Sequence, residues 1–282
     1  MTDVIAPSLR AFLAEGRPVV LITVAEAKGS TPREAGARML VTERETRGSI
    51  GGGELEFRAI AQARELLERN SLPVTLDMAL GPELGQCCGG RVSVSIERAD
   101  KRVLARIEAA ERIAAETQPM VLVFGAGHVG RALARALSLL PFRVRWIDAR
   151  EGEFGTSPLG DNVEMIVTER WSEEVGRTPP DAAYVVLTHS HSLDSLIVSA
   201  VLERGEFTYC GLIGSLTKRR VFEHAFREVG IPEERIARLV CPIGGRGVND
   251  KRPEVIAAFV AAELVEVFAK ARGNADSGAA AP

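Results

Sequence analysis

The sequence predicts an α/β protein in two parts. An N-terminal α+β domain is joined to a C-terminal Rossmann-like domain with a doubly wound parallel sheet. Three observations carry this expectation. From Met120 onward, apolar strand-like runs alternate with helical stretches, the pattern of parallel β-α-β winding. The first of those runs leads directly into Gly125-Ala126-Gly127-His128-Val129-Gly130, which opens a helix. Before residue 100 the strands and helices follow each other without that repetition. At 282 residues, two domains are the expected number.

The elements follow in order. A short helix is predicted at Ser8 to Glu15 and a strand at Pro18 to Ala25. The turn-rich Lys28-Gly29-Ser30-Thr31-Pro32-Arg33 leads to a strand at Arg38 to Thr42. Gly48-Ser49-Ile50-Gly51-Gly52-Gly53 opens a helix from Glu54 to Asn70. Strands at Val74 to Met78 and Arg91 to Glu97 follow, the second with the period-2 alternation of a half-buried strand. Asp100 to Thr117 reads as a charged helix connecting the domains, ended by Pro119. The later strands fall at Met120 to Phe124, Arg143 to Ile147, Val163 to Val167, Ala183 to Thr188, Phe207 to Ile213 and Leu239 to Ile243. A last apolar helix spans Pro253 to Ala271. The expected division is therefore 1–99, a connector at 100–118, a Rossmann-like domain at 119–272 and a small, polar, disordered tail at 273–282.

Composition excludes several classes. The net charge is −3, from 35 basic and 38 acidic residues, and the charges are interspersed, which argues against a nucleic-acid surface. The early apolar run Val19 to Ala25 is too short to span a membrane, and no signal-peptide order precedes it. Four cysteines in a chain of this length are not a disulfide framework; they fit a reducing, cytoplasmic setting.

Four features bear on chemistry. In the fingerprint, Gly125 permits a tight turn, Gly127 lets a phosphate approach the backbone, and Gly130 lets helix and strand pack closely. The helix start offers N–H groups to an anion, and His128 either faces that anion or fills a loop position. Asp148 ends the second strand where an acid would accept ribose hydroxyls. A dinucleotide is the candidate ligand there, with an NAD(P)-dependent oxidoreductase as one functional reading. Secondly, Gly48 to Gly53, with Gly51, Gly52 and Gly53 at its end, forms either an anion-binding nest or a tight strand-to-helix connection. Glu54 and Glu56 suit the helix dipole but would oppose a bound phosphate, and Arg33 or Arg38 could supply positive charge.

Thirdly, Cys87 and Cys88 are neighbours in Gly85-Gln86-Cys87-Cys88-Gly89-Gly90. Adjacent side chains on extended backbone point to opposite faces, so the two do not readily share one metal. A thiolate here is either a soft metal ligand, a sulfur-handling group or an inert core cysteine. All four histidines lie at His128 or beyond, so no histidine activates these thiols from within the N-terminal domain. Fourthly, three later segments end strands: Thr188-His189-Ser190-His191-Ser192-Leu193-Asp194, Gly214 to Arg220, and Cys241-Pro242-Ile243-Gly244-Gly245. His189, His191 and Asp194 read either as a metal site or as a crevice edge with a helix cap from Ser192 or Asp194. Of Lys218, Arg219 and Arg220, at least one should be solvated. Cys210 is expected in the core, and Cys241 is a second-rank candidate at the ligand-binding sheet edge.

The stretches GSTPREAGARMLV (Gly29 to Val41), GSIGGGELE (Gly48 to Glu56), LGQCCGGRV (Leu84 to Val92), VFGAGHVGRALARAL (Val123 to Leu137), THSHSLD (Thr188 to Asp194), GLIGSLTKRR (Gly211 to Arg220) and RLVCPIGG (Arg238 to Gly245) together resemble the XdhC/CoxI family of xanthine dehydrogenase accessory proteins. They run in order over nearly the whole chain. The resemblance implies a chaperone rather than an enzyme. It would hold the molybdenum cofactor in its molybdopterin form, protect it during exchange of a terminal oxo for a sulfido ligand, and deliver it to apo-xanthine dehydrogenase. A cysteine desulfurase is the implied sulfur donor and a homodimer the implied assembly. Cys87 and Cys88 would lie near the molybdenum or dithiolene, and Gly51 to Gly53 with Arg33 near the pterin or its phosphate. A persulfide-carrying role for one of the thiols is the further alternative.

Overall fold

The computed structural model describes residues 4–69, 73–80, 89–244 and 250–278. Cys87 and Cys88 lie outside the described residues. The chain divides into two compact units, Met1–Ala114 and Ala115–Pro282.

The first unit contains α1 (Ala6–Ala14), β1 (Val20–Lys28), β2 (Arg38–Val41), β3 (Thr46–Gly48), α2 (Gly53–Arg69), β4 (Val74–Ala79), β5 (Arg91–Arg98) and α3 (Lys101–Glu116). Its strands form an antiparallel sheet in the order β3-β2-β1-β5-β4. The alternation of side chains along β1 splits its residues between two cores. Val20, Ile22 and Val24 face α2 through Leu55, Ala59, Ala63 and Leu66. Val19 and Leu21 face the other way, toward Leu9 and Phe12 of α1 and Val103 and Ile107 of α3. Both faces of the sheet are thus covered by helices.

Two details differ from the sequence reading. The three-residue β3 lacks an apolar run and left no periodic signal, but pairs antiparallel with β2 from Met39 to Val41. The helix read as a connector buries Val103 and Ile107 in the N-terminal core, starting from Asp100, whose Oδ1 accepts the N–H groups of Arg102 (2.8 Å) and Val103 (2.9 Å). Burying each such aliphatic side chain is worth about 1.5–3 kcal/mol.

The second unit contains β6 (Met120–Phe124), α4 (His128–Leu137), β7 (Arg143–Asp148), β8 (Val163–Val167), α5 (Trp171–Gly176), β9 (Ala183–Val186), α6 (His191–Arg204), β10 (Tyr209–Leu212), α7 (Leu216–Glu228), α8 (Glu233–Ile236), β11 (Leu239–Val240) and α9 (Pro253–Gly278). All described pairings in its sheet are parallel, in the order β11-β10-β9-β6-β7-β8. The strand order reverses between β6 and β9, the point at which such sheets bind ligands. α4 and α9 pack on one face through Leu133, Leu137, Val260 and Leu264. α6 and α7 pack on the other through Ile197, Val201, Phe222 and Phe226. β11 is shorter than its apolar run suggested; Pro242, two residues beyond its end, cannot donate to a ladder. α9 continues to Gly278, into the segment expected to be disordered. Among the described residues, no helix is long and apolar enough to cross a membrane.

Candidate functional site

In the first unit, the turn from Gly29 to Arg33 is a meeting point. A Cβ on Gly90 would stand 2.3 Å from the Ser30 carbonyl oxygen and 2.8 Å from that of Lys28. A Cβ on Gly51 would stand 2.5 Å from Pro32 and 3.6 Å from the Arg33 side chain. Both glycines are therefore required by close approach. The glycine loop before α2, the Arg33 turn and the glycine that ends the cysteine run are thus brought together. Leu80 N–H donates to the Gly90 carbonyl (2.8 Å), which closes the ends of β4 and β5 on each other. Arg33 and Gly51 are adjacent.

The glycine loop is an anion nest, and its anion is internal. Glu56 Oε1 accepts the N–H groups of Ile50 (2.9 Å), Gly51 (3.1 Å) and Gly52 (2.9 Å), and the Ser49 hydroxyl (2.5 Å). Burial works against the Glu56 charge, but the Ser49 hydroxyl and the three N–H groups outweigh it and hold the carboxyl below its ordinary range. The expectation that Gly51 to Gly53 present their N–H groups to a phosphate is thus modified: those of Gly51 and Gly52 already have a carboxylate acceptor. Glu56, in the first turn of α2, reaches back to the N–H groups of the loop that precedes its helix; its place in that turn was visible in the sequence, but its acceptor role was not.

In the second unit, the fingerprint glycines have three distinct environments. Gly125 (φ +117°) could not carry a side chain, because a Cβ would lie 2.3 Å from the Leu187 carbonyl oxygen. A Cβ on Gly130 would lie 2.0 Å from the Gly125 carbonyl oxygen. Gly127 has no neighbour within 4 Å of that position, so its approach is open. His128, the first residue of α4, is exposed, and no side chain caps this helix start. The loop is fixed from below by the buried Trp146, whose Nε1 donates to the Gly125 carbonyl (3.0 Å).

Asp148 departs from its sequence-assigned role as a free acceptor for ribose hydroxyls. Its Oδ2 accepts Ala126 N–H (2.7 Å) and Arg150 Nη2 (2.8 Å); its Oδ1 accepts Arg150 N–H (3.0 Å) and Nε (2.9 Å). The side chain is 4% exposed. Burial opposes its charge, but the guanidinium and the two backbone N–H groups overcome this and draw the pKa down to about 2. Arg150 was not singled out from the sequence, although its place two residues after the acid was visible there. Beside Asp148 lies a cavity of about 220 Å³ lined by Phe124, Ile147, Thr168, Trp171, His189 and Leu193 among others, at the reversal of strand order.

The three later motifs meet at the carboxyl ends of β9, β10 and β11. Asp194 is fully buried. It accepts Thr188 N–H (2.9 Å), Thr188 Oγ1 (2.7 Å) and Lys218 Nζ (2.7 Å), and Lys218 also donates to the Ile213 carbonyl (2.9 Å). His189, His191 and Asp194 therefore do not form a metal triad, and among the described residues no group of three His, Cys, Asp or Glu side chains could hold a metal ion. The cap of α6 is Ser190, accepting from Leu193 N–H, rather than Ser192 or Asp194. Arg219 pairs with Glu223 (2.6 Å) and Arg220 is exposed. Cys210 is in the core, its thiol pushed up to about 12 by burial. Cys241 is also buried, and burial raises its pKa against the pull of Lys218 and Arg219.

These features define a two-domain protein whose Rossmann-type unit keeps an open helix start beside a crevice, and whose N-terminal unit gathers its glycine loops around one turn. The sequence matches the XdhC Rossmann domain over residues 121–264 and the domain described as the XdhC and CoxI family over residues 12–77. The chain belongs to the XdhC/CoxI family. It is 28% identical over 265 residues to the uncharacterized protein YqeB of Escherichia coli K12, covering 91% of this chain but 45% of that relative, so it spans about half of that protein's length. It is 26% identical to a probable xanthine dehydrogenase subunit of Bacillus subtilis 168, covering 92% of this chain and 96% of the relative. A crystal structure of a xanthine dehydrogenase from Bacillus halodurans superposes with a TM-score of 0.74 at 20% identity, covering 96% of each chain; this likeness concerns the fold.

Proposed function

We propose that this protein is an accessory protein of xanthine dehydrogenase that carries the molybdenum cofactor in its molybdopterin form. One observation carries the reading: two XdhC-type domains lie in series along the chain, in the same order as the motifs. The adjacent thiols of Cys87 and Cys88 supply the chemistry. As soft donors they suit a molybdenum or dithiolene centre. Arg33, on the turn that also touches Gly51, would meet the cargo's phosphate. The protein's part is to hold the cargo, shield it while a cysteine desulfurase supplies sulfur for the oxo-to-sulfido exchange, and hand it to apo-xanthine dehydrogenase.

The test is anaerobic binding of molybdopterin cofactor, read by molybdenum content after gel filtration. The parent should retain cargo, and Cys87→Ala/Cys88→Ala should lose it. Equal retention by both proteins would remove the thiols from the site, and no retention by the parent would end the carrier reading. Adding the parent, but not the double variant, should raise the sulfido-dependent activity of purified xanthine dehydrogenase. Mass spectrometry after incubation with desulfurase and cysteine separates the persulfide-carrier alternative, which requires a gain of one sulfur on Cys87 or Cys88.

The crevice beside Gly125 and Asp148 favours a second reading for the other unit: it binds an adenine nucleotide. The supporting observations are the open Gly127, the uncapped start of α4 and the largely apolar cavity at the switch point. Equilibrium dialysis with NAD and NADP tests it; retention of neither would reject it.

A further inference from the structure

We infer that the Rossmann crevice, on the reading that it binds an adenine nucleotide, selects ligands with an anionic group on the ribose 2′ position and disfavours a free 2′-hydroxyl. The argument starts from acceptor capacity. An ionised carboxylate offers about four lone-pair positions. All four at Asp148 are filled: Ala126 N–H and Arg150 Nη2 on one oxygen, Arg150 N–H and Nε on the other. Ribose hydroxyls recognised by an acid at the end of the second strand need vacant acceptor positions there. None remains unless Arg150 leaves.

Asp148 and Ala149 line the cavity, and the next residue, Arg150, sets a cation on Asp148 beside its wall rather than within it. Arg150 uses Nε and one Nη2 proton on Asp148, and its Nη1 lies 3.6 Å from Glu153 Oε1, a loose pair. Its side chain is 38% exposed, so the outer edge of the fork meets solvent with donors left over. A guanidinium fork matches a phosphate by two parallel hydrogen bonds and gains nothing comparable from a hydroxyl. Glu153 is a nearby acid that competes for this edge, and its looseness leaves it the weaker partner. Glu169, after β8, lines the same cavity and is the acid there that an anionic 2′ group has to avoid. The 5′-phosphate would take the open side of Gly127 in either case, so it does not discriminate.

The test compares 2′,5′-ADP with 5′-AMP, which share adenine, ribose and the 5′-phosphate and differ at the 2′ position alone. Titration calorimetry gives both affinities on the full chain, and the fluorescence of Trp171 in the cavity wall gives an independent signal. The parent should bind 2′,5′-ADP about tenfold or more tighter, the usual return of one charge-assisted bidentate contact. Arg150→Ala frees acceptor positions on Asp148, so the preference should vanish or invert. Arg150→Lys, which keeps charge without the fork, should retain a reduced preference and guards against a misfolded alanine variant. Equal binding of the two ligands by the parent would overturn the selectivity and leave the nucleotide reading standing. Binding of neither would overturn both. A preference that survives Arg150→Ala would overturn the assignment to Arg150.

Discussion

Replacing Lys218 with methionine tests a deeply buried charge pair. Asp194 has no exposed surface, and Lys218 Nζ sits 2.7 Å from its Oδ2 with only 11% of the lysine side chain exposed. Methionine fills much of the same volume but removes the cation. The carboxylate then keeps Thr188 N–H and Thr188 Oγ1 on one oxygen and loses the lysine from the other. Breaking one partner of a buried pair costs about 3–5 kcal/mol, because the remaining charge is uncompensated. In a domain of this size each kcal/mol is worth about 2–4 °C in melting temperature, so the expected fall is about 6–20 °C. Both tryptophans, Trp146 and Trp171, lie in this unit, so tryptophan fluorescence reports its unfolding directly. The double variant Asp194→Asn/Lys218→Met removes both charges and keeps an amide oxygen for Thr188. It should melt above Lys218→Met. A single variant within about 2 °C of the parent, or a double variant no more stable than the single one, would refute the argument from uncompensated charge.

Three more outcomes are expected. Gly130→Ala should destabilise by about 3 kcal/mol or more, since its Cβ would meet the Gly125 carbonyl at 2.0 Å, whereas Gly127→Ala should stay within about 0.5 kcal/mol and weaken nucleotide retention alone; thermal melts and dialysis separate the two. Glu56→Ala leaves three N–H groups and a hydroxyl without their acceptor and should cost about 2–3 kcal/mol in urea unfolding. Since the Glu56 pKa is lowered on folding, this contribution is complete above its ordinary value near 4.5 and fades as pH falls through the lowered one. Asp148, drawn from 3.8 to about 2, contributes up to about 2 kcal/mol that is present at pH 5 and lost as pH falls through 2; Asp148→Asn should flatten the melting-temperature profile across that window.

The Rossmann unit was legible because its cues are local. A strand, a glycine turn and a helix start are contiguous in sequence, and each glycine has a reason that short-range sterics supplies. β3 was not legible, because three residues with no apolar member gain their order from the β2 partner rather than from their own pattern. α3 was visible as a helix, but a stripe of Val103, Leu104 and Ile107 does not say which core will receive it. The site was harder still. Gly51, Gly125, Gly127 and Gly130 could be singled out, yet Glu56 as the nest's occupant and Arg150 as the partner of Asp148 required knowing where carboxylates point. The pairing of Asp194 with Lys218 joins residues 24 apart on different helices and has no sequence signature. Trp146 was hidden for the same reason, since its indole reaches across to a neighbouring strand's loop.

The carboxylate inside the N-terminal glycine loop makes any anion that binds there a substitute rather than an addition. Glu56 is tethered to the loop it fills, so it competes at an effective concentration of at least about the millimolar level set by short linkers. Entry of a phosphate would expel one negative charge as it brings others in. Such an exchange depends on ionic strength less than a simple neutralisation of an empty cationic pocket would. It also runs in reverse without help, because the side chain returns to its four donors as soon as the visitor leaves. A loop built this way discourages permanent occupancy and favours turnover of whatever it holds.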